Sequence, residues 1–370
     1  MASPPRPERA PLGRFRKILF AVAVIAGLLV LVALAGEMIL SATGARFDIA
    51  VEQAAFRDYH ARAGATQQGR DPDTRQTFPI VFNQFGLRDA TSRRDAPASD
   101  RVPVLVLGDS FVENLGLPWD RGFVAQLERA MRATDSRVEV ISGGLGGIGT
   151  DREFDLLREL APSVKPRLVI LLWFNNDLWD ITVGLHMKRS PPRWLQRSYL
   201  FQFLTDRLSR LTGGDVPQEK HRLLYAPFFT DGERDPLIVH ALDRTGALLA
   251  QMNDYCRGHD AQFAVVAAPN AISFSPITTR AAYAETAAAL GRKLTDFRPG
   301  LPYYLLAQAA AARRIAVYPF LFIDFERALA GLPPQTEETR RRLFFVNDPH
   351  WNANGCRIAA QAVARWLATR

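Results

Sequence analysis

The chain has 370 residues, 48% of them hydrophobic. It is therefore long enough to bury a full core, and one large domain with an appendage is expected in preference to two small ones. Forty-six Lys and Arg against 38 Asp and Glu leave a net charge of +8, which suits an anionic membrane surface or nucleic acid. The arginines are scattered, however, and no DNA- or RNA-binding motif is present, so a nucleic-acid partner is not expected.

Met1 to Lys17 carries five basic residues against Glu8 alone and is rich in proline, which predicts a disordered cationic head. Residues 18–40 follow as an apolar run. From Ile18 to Gly36 it has no polar side chain, enough helix to cross about 30 Å of hydrocarbon at 1.5 Å per residue. The cationic flank places the head in the cytoplasm and the remainder on the periplasmic or extracellular side. Ala33-Leu34-Ala35 resembles a signal-peptidase site. The length of the run, which continues through Met38, Ile39 and Leu40, favours an uncleaved anchor. Residues 41–100 read as a juxtamembrane segment and linker: a helix over 47–64, polar loops over 64–76 and 90–100, and FPIVFNQFGLRD between them as an ordered edge element that packs structurally.

Arg101 to Val112, RVPVLVLGDSFV, begins as a run too uniformly apolar for a half-exposed strand. It reads as a buried parallel strand ending at Gly108. Asp109 and Ser110 follow at once, which places a hydroxyl where open α/β sheets put their ligands. An isolated Asp-Ser after a strand can equally be a helix cap. A helical apolar face over 121–133 should cover the sheet. Val138 to Ser142 is a second strand, running into the glycine-dense GGLGGIGT, with a helix over 151–160. Leu168 to Trp173 is a third strand, ending in Asn175, Asn176 and Asp177. An excursion over 179–236 is a candidate lid or substrate cap, and its segment 198–211 is either a core-packed helix or an amphipathic one lying on the bilayer. Helices over 235–257, 281–294 and 301–313 and strands over 262–268 and 315–320 complete a doubly wound pattern. Near the end, NDPHWNANG sets Asp348 two residues before His350.

These stretches supply a hydroxyl, a base, a carboxylate to orient it and potential oxyanion donors. In this order they resemble the four sequence blocks of the SGNH/GDSL-type hydrolases. GDSF resembles the first block, with Ser110 as nucleophile, and Gly147 is the best match to the second block's glycine. Asn176, directly before the aspartate in WFNND, matches the third block in preference to Asn175, and DPHWN matches the last. FNQFGLRD is similar to the Asn-x-x-Gly-x-Arg segment that precedes block one in envelope members.

The resemblance implies a flavodoxin-like three-layer α/β/α sandwich with a five-stranded parallel sheet, occupying residues 101–370 behind one transmembrane helix. It also implies a catalytic set of Ser110, Asp348 and His350 and an oxyanion hole of the Ser110 and Gly147 N–H groups with the Asn176 amide. Asp109 and Asp177 are expected in support. The other five histidines, His60, His186, His221, His240 and His259, fall in linker, excursion or surface positions. GLGGIG also matches the dinucleotide pattern G-x-G-x-x-G through Gly144, Gly146 and Gly149, but that reading leaves GDS unexplained and puts the acidic partner out of register. Neither metal nor other cofactor is expected, since the aspartates have structural roles and no His-x-x-x-His or cysteine cluster exists. Cys256 and Cys356 could pair on the exported side or stay as free thiols. The expected activity is a membrane-anchored serine esterase or deacylase acting on an O-acylated envelope carbohydrate or lipid. An O-acyltransferase to an envelope polysaccharide, or an inactive carbohydrate-binding or assembly protein, is the alternative. The intact Ser110, Asp348 and His350 favour an enzyme.

Overall fold

The computed structural model describes residues 14–42, 66–89, 100–184, 198, 200–201, 203–204, 218–269, 271–274, 284, 287–331 and 341–370. The head before Arg14, the helix expected over 47–64 with His60, the polar loop over 90–99, His186, most of 198–211, and residues 281–283 and 285–286 of the helix expected over 281–294 lie outside the described residues. The chain divides into two compact units, residues 1–49 with 190–214 and residues 50–189 with 215–370.

In the first unit, α1 (Arg14–Ala42) runs for 29 residues. Its segment Arg16–Leu40 is long and apolar enough to be a membrane span or a signal sequence. Ile18, Phe20 and Leu31, among other large side chains, are more than half exposed, as befits a helix that is apolar all round. Near the end of the span, the Glu37 carboxylate accepts hydrogen bonds from Ser198 Oγ (2.8 Å) and from the Leu200 backbone N–H (2.9 Å).

The second unit is built on two sheets. A three-stranded antiparallel meander holds β1 (Thr66–Arg70), β2 (Thr77–Phe82) and β3 (Arg88–Asp89). The main sheet holds β4 (Val102–Gly108), β5 (Val138–Gly144), β6 (Leu168–Trp173), β7 (Gln262–Ala267) and β8 (Ala316–Tyr318), all parallel, in the order β5-β4-β6-β7-β8. This is the flavodoxin-like doubly wound order, with its switch point between β4 and β6. The helices of this unit are α2 (Ser110–Glu113), α3 (Phe123–Arg132), α4 (Thr150–Val164), α5 (Gln218–Tyr225), α6 (Pro236–Arg257), α7 (Leu301–Ala311), α8 (Leu321–Leu329) and α9 (Ala353–Leu367), together with short helical turns.

Alternation along the strands divides the core. Leu105, Leu107, Val169, Leu171, Phe263 and Val265 face α4, α6 and α7. Val104, Val106, Val140, Ile170, Leu172 and Val266 face α3, α8 and α9. Because both faces are covered, the strands read as unbroken apolar runs, and each fully buried leucine or valine contributes roughly 1.5–3 kcal/mol. Asp235 caps α6 by accepting from the Leu237 N–H, with Pro236 in the first turn. Cys256 and Cys356 are both free and buried, in clusters on opposite faces of the sheet. Burial pushes each thiol up to about 12.

Several expectations are corrected. Residues 64–76, read as a polar loop, contain β1 and a tight turn. There the Asp71 carboxylate accepts from the Asp73 and Thr74 N–H groups (2.9 and 2.7 Å), and Arg75 takes φ +63°. This Asx geometry returns a polar strand as an ordered hairpin. Residues 66–89 lie within the second unit. The last strand is three residues long, because it pairs with β7 alone and Pro319 cannot extend the ladder. Helix α8, which had not been expected, follows it.

Candidate active site

The parallel β4 ends at Gly108, and the chain turns at Asp109 into α2, whose first residue is Ser110. The Asp109 carboxylate accepts the Phe111 N–H at 3.0 Å, which satisfies one of the donors a helix start leaves open. The cap is thus supplied by Asp109, which leaves the neighbouring Ser110 Oγ uncommitted to it. This turn packs directly on the end of β5. A Cβ at Gly144 would stand 2.4 Å from Glu113 N and 2.6 Å from Val112 C, so only glycine allows α2 to lie there. The strand accordingly runs through Gly143 and Gly144, beyond its expected end at Ser142.

Ser110 Oγ lies 2.6 Å from His350 Nε2, across 240 residues of sequence. On the other side of the ring, Nδ1 lies 2.5 Å from Asp348 Oδ1, and the same oxygen accepts the His350 backbone N–H at 2.8 Å. A carboxylate can only accept, so Nδ1 carries the ring proton and the Nε2 lone pair faces the hydroxyl. The ring is seated against Phe111 at 4.7 Å between centroids. The neighbouring Trp351 is fully buried and donates from Nε1 to the Pro269 carbonyl at 3.1 Å. Asn352 then caps α9, accepting from the Asn354 and Gly355 N–H groups at 3.0 and 3.1 Å. His-Trp-Asn is thus an imidazole between hydroxyl and carboxylate, a packing anchor and a helix cap in succession. Of the other histidines, His259 stacks on Tyr255 and bonds its backbone carbonyl, and His240 is exposed on α6.

The glycine turn after β5 comes close to Ser110. A Cβ at Gly146 would be 3.8 Å from Ser110 Cβ, and Gly147 takes φ +73°, a conformation that favours glycine. Asn176 follows β6 in a turn, and its Nδ2 donates to Asp109 Oδ2 at 3.2 Å, with Asp180 Oδ2 at 3.5 Å. Asn175 points elsewhere: it is buried and donates to the Leu224 carbonyl at 3.0 Å. Asp109 therefore joins the nucleophile turn to the Asn176 turn. Asp177 accepts from Thr150 Oγ1 at 2.8 Å, which joins the Asn176 turn to the start of α4.

Sequence reasoning had named Asp177 in support but had not singled out Glu153, which lies in the same acidic ground. Glu153 and Asp177 are fully buried, and both Glu153 oxygens and Asp177 Oδ1 have no hydrogen-bond partner. Burial, reinforced for each by neighbouring carboxylates, holds both well above the usual carboxylate range. Burial raises Asp109 too, opposed by the Phe111 N–H, the His350 ring and the Asn176 amide. Among the described residues no group of three or more acidic, histidine or cysteine side chains could hold a metal.

No family model matches this sequence, and no curated protein matches it. Among solved structures the chain is similar to TesA, at 14% identity over 72% of this chain and 98% of that one, with a TM-score of 0.40. It is likewise similar to the acetyl xylan esterase AlAXEase, at 14% identity over 73% of this chain and 100% of that one, with a TM-score of 0.40. The lipase/acylhydrolase from Enterococcus faecalis aligns at 15% identity over 72% of this chain and 96% of that one, with a TM-score of 0.37.

Proposed function

We propose that the protein is a serine esterase of the SGNH type. The observation that carries this reading is the unbroken line from Ser110 Oγ through His350 to Asp348, with contacts of 2.6 and 2.5 Å. A serine hydroxyl is a poor nucleophile until a base takes its proton. Here His350 Nε2 removes that proton as Oγ attacks the ester carbonyl carbon, while Asp348 holds the tautomer and stabilises the imidazolium. The tetrahedral oxyanion is received by the N–H groups of Ser110 and Gly147 and by the Asn176 amide. Nε2–H then protonates the departing alcohol oxygen, which leaves an acyl group on Ser110. Water, deprotonated by the same ring, releases the acid and restores the hydroxyl.

The substrate in this reading is an O-acylated carbohydrate or lipid of the cell envelope. The catalytic unit lies on the periplasmic or extracellular side of the cytoplasmic membrane, anchored by α1. The cationic flank before the apolar run supports this orientation. A fluorophosphonate probe should label the folded wild-type protein at Ser110 and leave Ser110→Ala unlabelled. Turnover of short-chain aryl esters and acetylated glycans should vanish in the same variant. Labelling or turnover that survives in Ser110→Ala would reject the assignment.

A further inference from the structure

The meander β1–β3 carries none of the reacting groups, yet it grips both halves of the site. Asp73, at the tip of its hairpin, is exposed to solvent, but its carboxylate is fully engaged. It accepts the Val346 N–H at 3.0 and 2.9 Å and the Asn347 N–H at 2.9 Å, and the Asn347 side-chain amide approaches at 3.2 Å. Asp348 is the next residue. At the other end of the meander, Arg88 is buried. One of its terminal nitrogens donates to the Glu113 carbonyl at 3.0 Å and to the Asn114 carbonyl, and the other donates to the Leu117 carbonyl. These carbonyls are the exit of α2, the helix that begins with Ser110. Burial lowers Arg88 to about 10, against the opposing pull of Glu113. The buried Glu113 carboxylate in turn accepts the Gly146 N–H at 2.8 Å, immediately before Gly147. Pro72, beside Asp73, approaches the same exit: a Cβ at Gly116 would meet it at 3.3 Å.

We infer that the meander is a catalytic brace, with Asp73 and Arg88 as positioning residues that fix the Asp348–His350 loop and the Ser110 helix relative to each other. The inference rests on the esterase reading of the site. The two loops approach from opposite ends of the domain sequence, and the hydroxyl–imidazole contact requires both to be held in one register. Charged groups at both ends suit the task, because charge-assisted bonds to backbone are roughly twice as strong as neutral ones. Displacements of about 1 Å far from the reacting atoms can cost on the order of 10²-fold in rate.

The test uses the full chain in detergent with p-nitrophenyl acetate. Asp73→Ala should lower kcat about ten-fold, a partial form of that loss, with KM within about two-fold and an unchanged melting temperature. Fluorophosphonate labelling of Ser110 should slow in parallel. Asp73→Asn keeps one acceptor oxygen and should recover most of the loss. Arg88→Lys keeps the charge without the span to reach three carbonyls and should lower kcat further. If that buried variant does not fold, the Asp73 pair decides. Wild-type kcat in Asp73→Ala, an Asp73→Asn variant as slow as Asp73→Ala, or a rate loss matched by loss of folded protein would each overturn the brace. Ser110→Ala separates the two readings. If it retains turnover, the esterase reading falls and the brace with it; if it is inert while Asp73→Ala runs at the wild-type rate, the brace alone falls.

Discussion

Asn175 and Asn176 are adjacent and chemically identical, and the structure gives them opposite surroundings. Asn176 lies on the Ser110 side, one N–H spent on Asp109. In the proposed mechanism its other N–H meets the oxyanion, so Asn176→Ala should lower kcat by about 10²–10³ with little change in KM. Asn175→Ala should instead leave the Leu224 carbonyl without its donor inside the protein, a loss of about 1–3 kcal/mol seen as a lower melting temperature. Equal kinetic losses at the two positions would place the third block wrongly. Glu153 yields a different kind of expectation. Its folded-state value is raised by burial and by Asp177, Asp109, Asp151 and Asp180, so the folded protein keeps a proton that the unfolded chain releases above about pH 4.5. Stability attached to that proton is fully present below this pH and is lost as pH rises through the folded value. Glu153→Gln removes the titration and can donate to the unpartnered Asp177 oxygen. Its melting temperature should match wild type at pH 4 and exceed it increasingly as the pH rises to 9. A gap of the same size at every pH would show that no proton is held there.

At the scale of elements, the parallel strands were legible because burial on both faces leaves Val and Leu runs that few other structures produce. The turns at Ser110, Gly147 and Asn176 were legible because each follows such a run, whereas the Asp348–His350 loop follows no strand among the described residues and was picked out by the DPHWN pattern alone. The meander was not: TQQGR carries no apolar period, and its strand character comes from the Asx turn at Asp71 and from pairing with TFPIVF. Arg88 stood in a segment that had been read as structural packing. Its burial against α2 depends on Glu113, 25 residues further on, and no local pattern announces that partner. Glu153 was unreadable for a related reason, since its proximity to Asp177 follows from how α4 meets the turn after β6. The close approach of α2 to β5 supplies the element-scale prediction. Gly144→Ala puts a methyl group into the backbone of Val112 and Glu113. Because backbone cannot move aside as a side chain does, the variant should lose most esterase turnover and several degrees of melting temperature. A fully active Gly144→Ala protein would mean that α2 does not sit on that strand in solution.

For the whole molecule, the decisive question is which side of the membrane receives the catalytic unit. The cationic head and the apolar run of α1 predict a cytoplasmic N-terminus. A reporter fused after Arg370 that works only outside the cytoplasm should be active, and one that works only inside should be silent. The reverse pattern would remove the argument for an envelope substrate while leaving the triad chemistry in place.

The 240 residues between Ser110 and His350 also set a clock. At roughly 5–20 residues per second of synthesis, the nucleophile is made tens of seconds before its base exists. Through that interval, and through any passage of the chain across the bilayer, the serine is an ordinary alcohol with nothing to take its proton. In the proposed mechanism the reactive oxygen therefore appears only when the last loop docks, at the place where the domain folds.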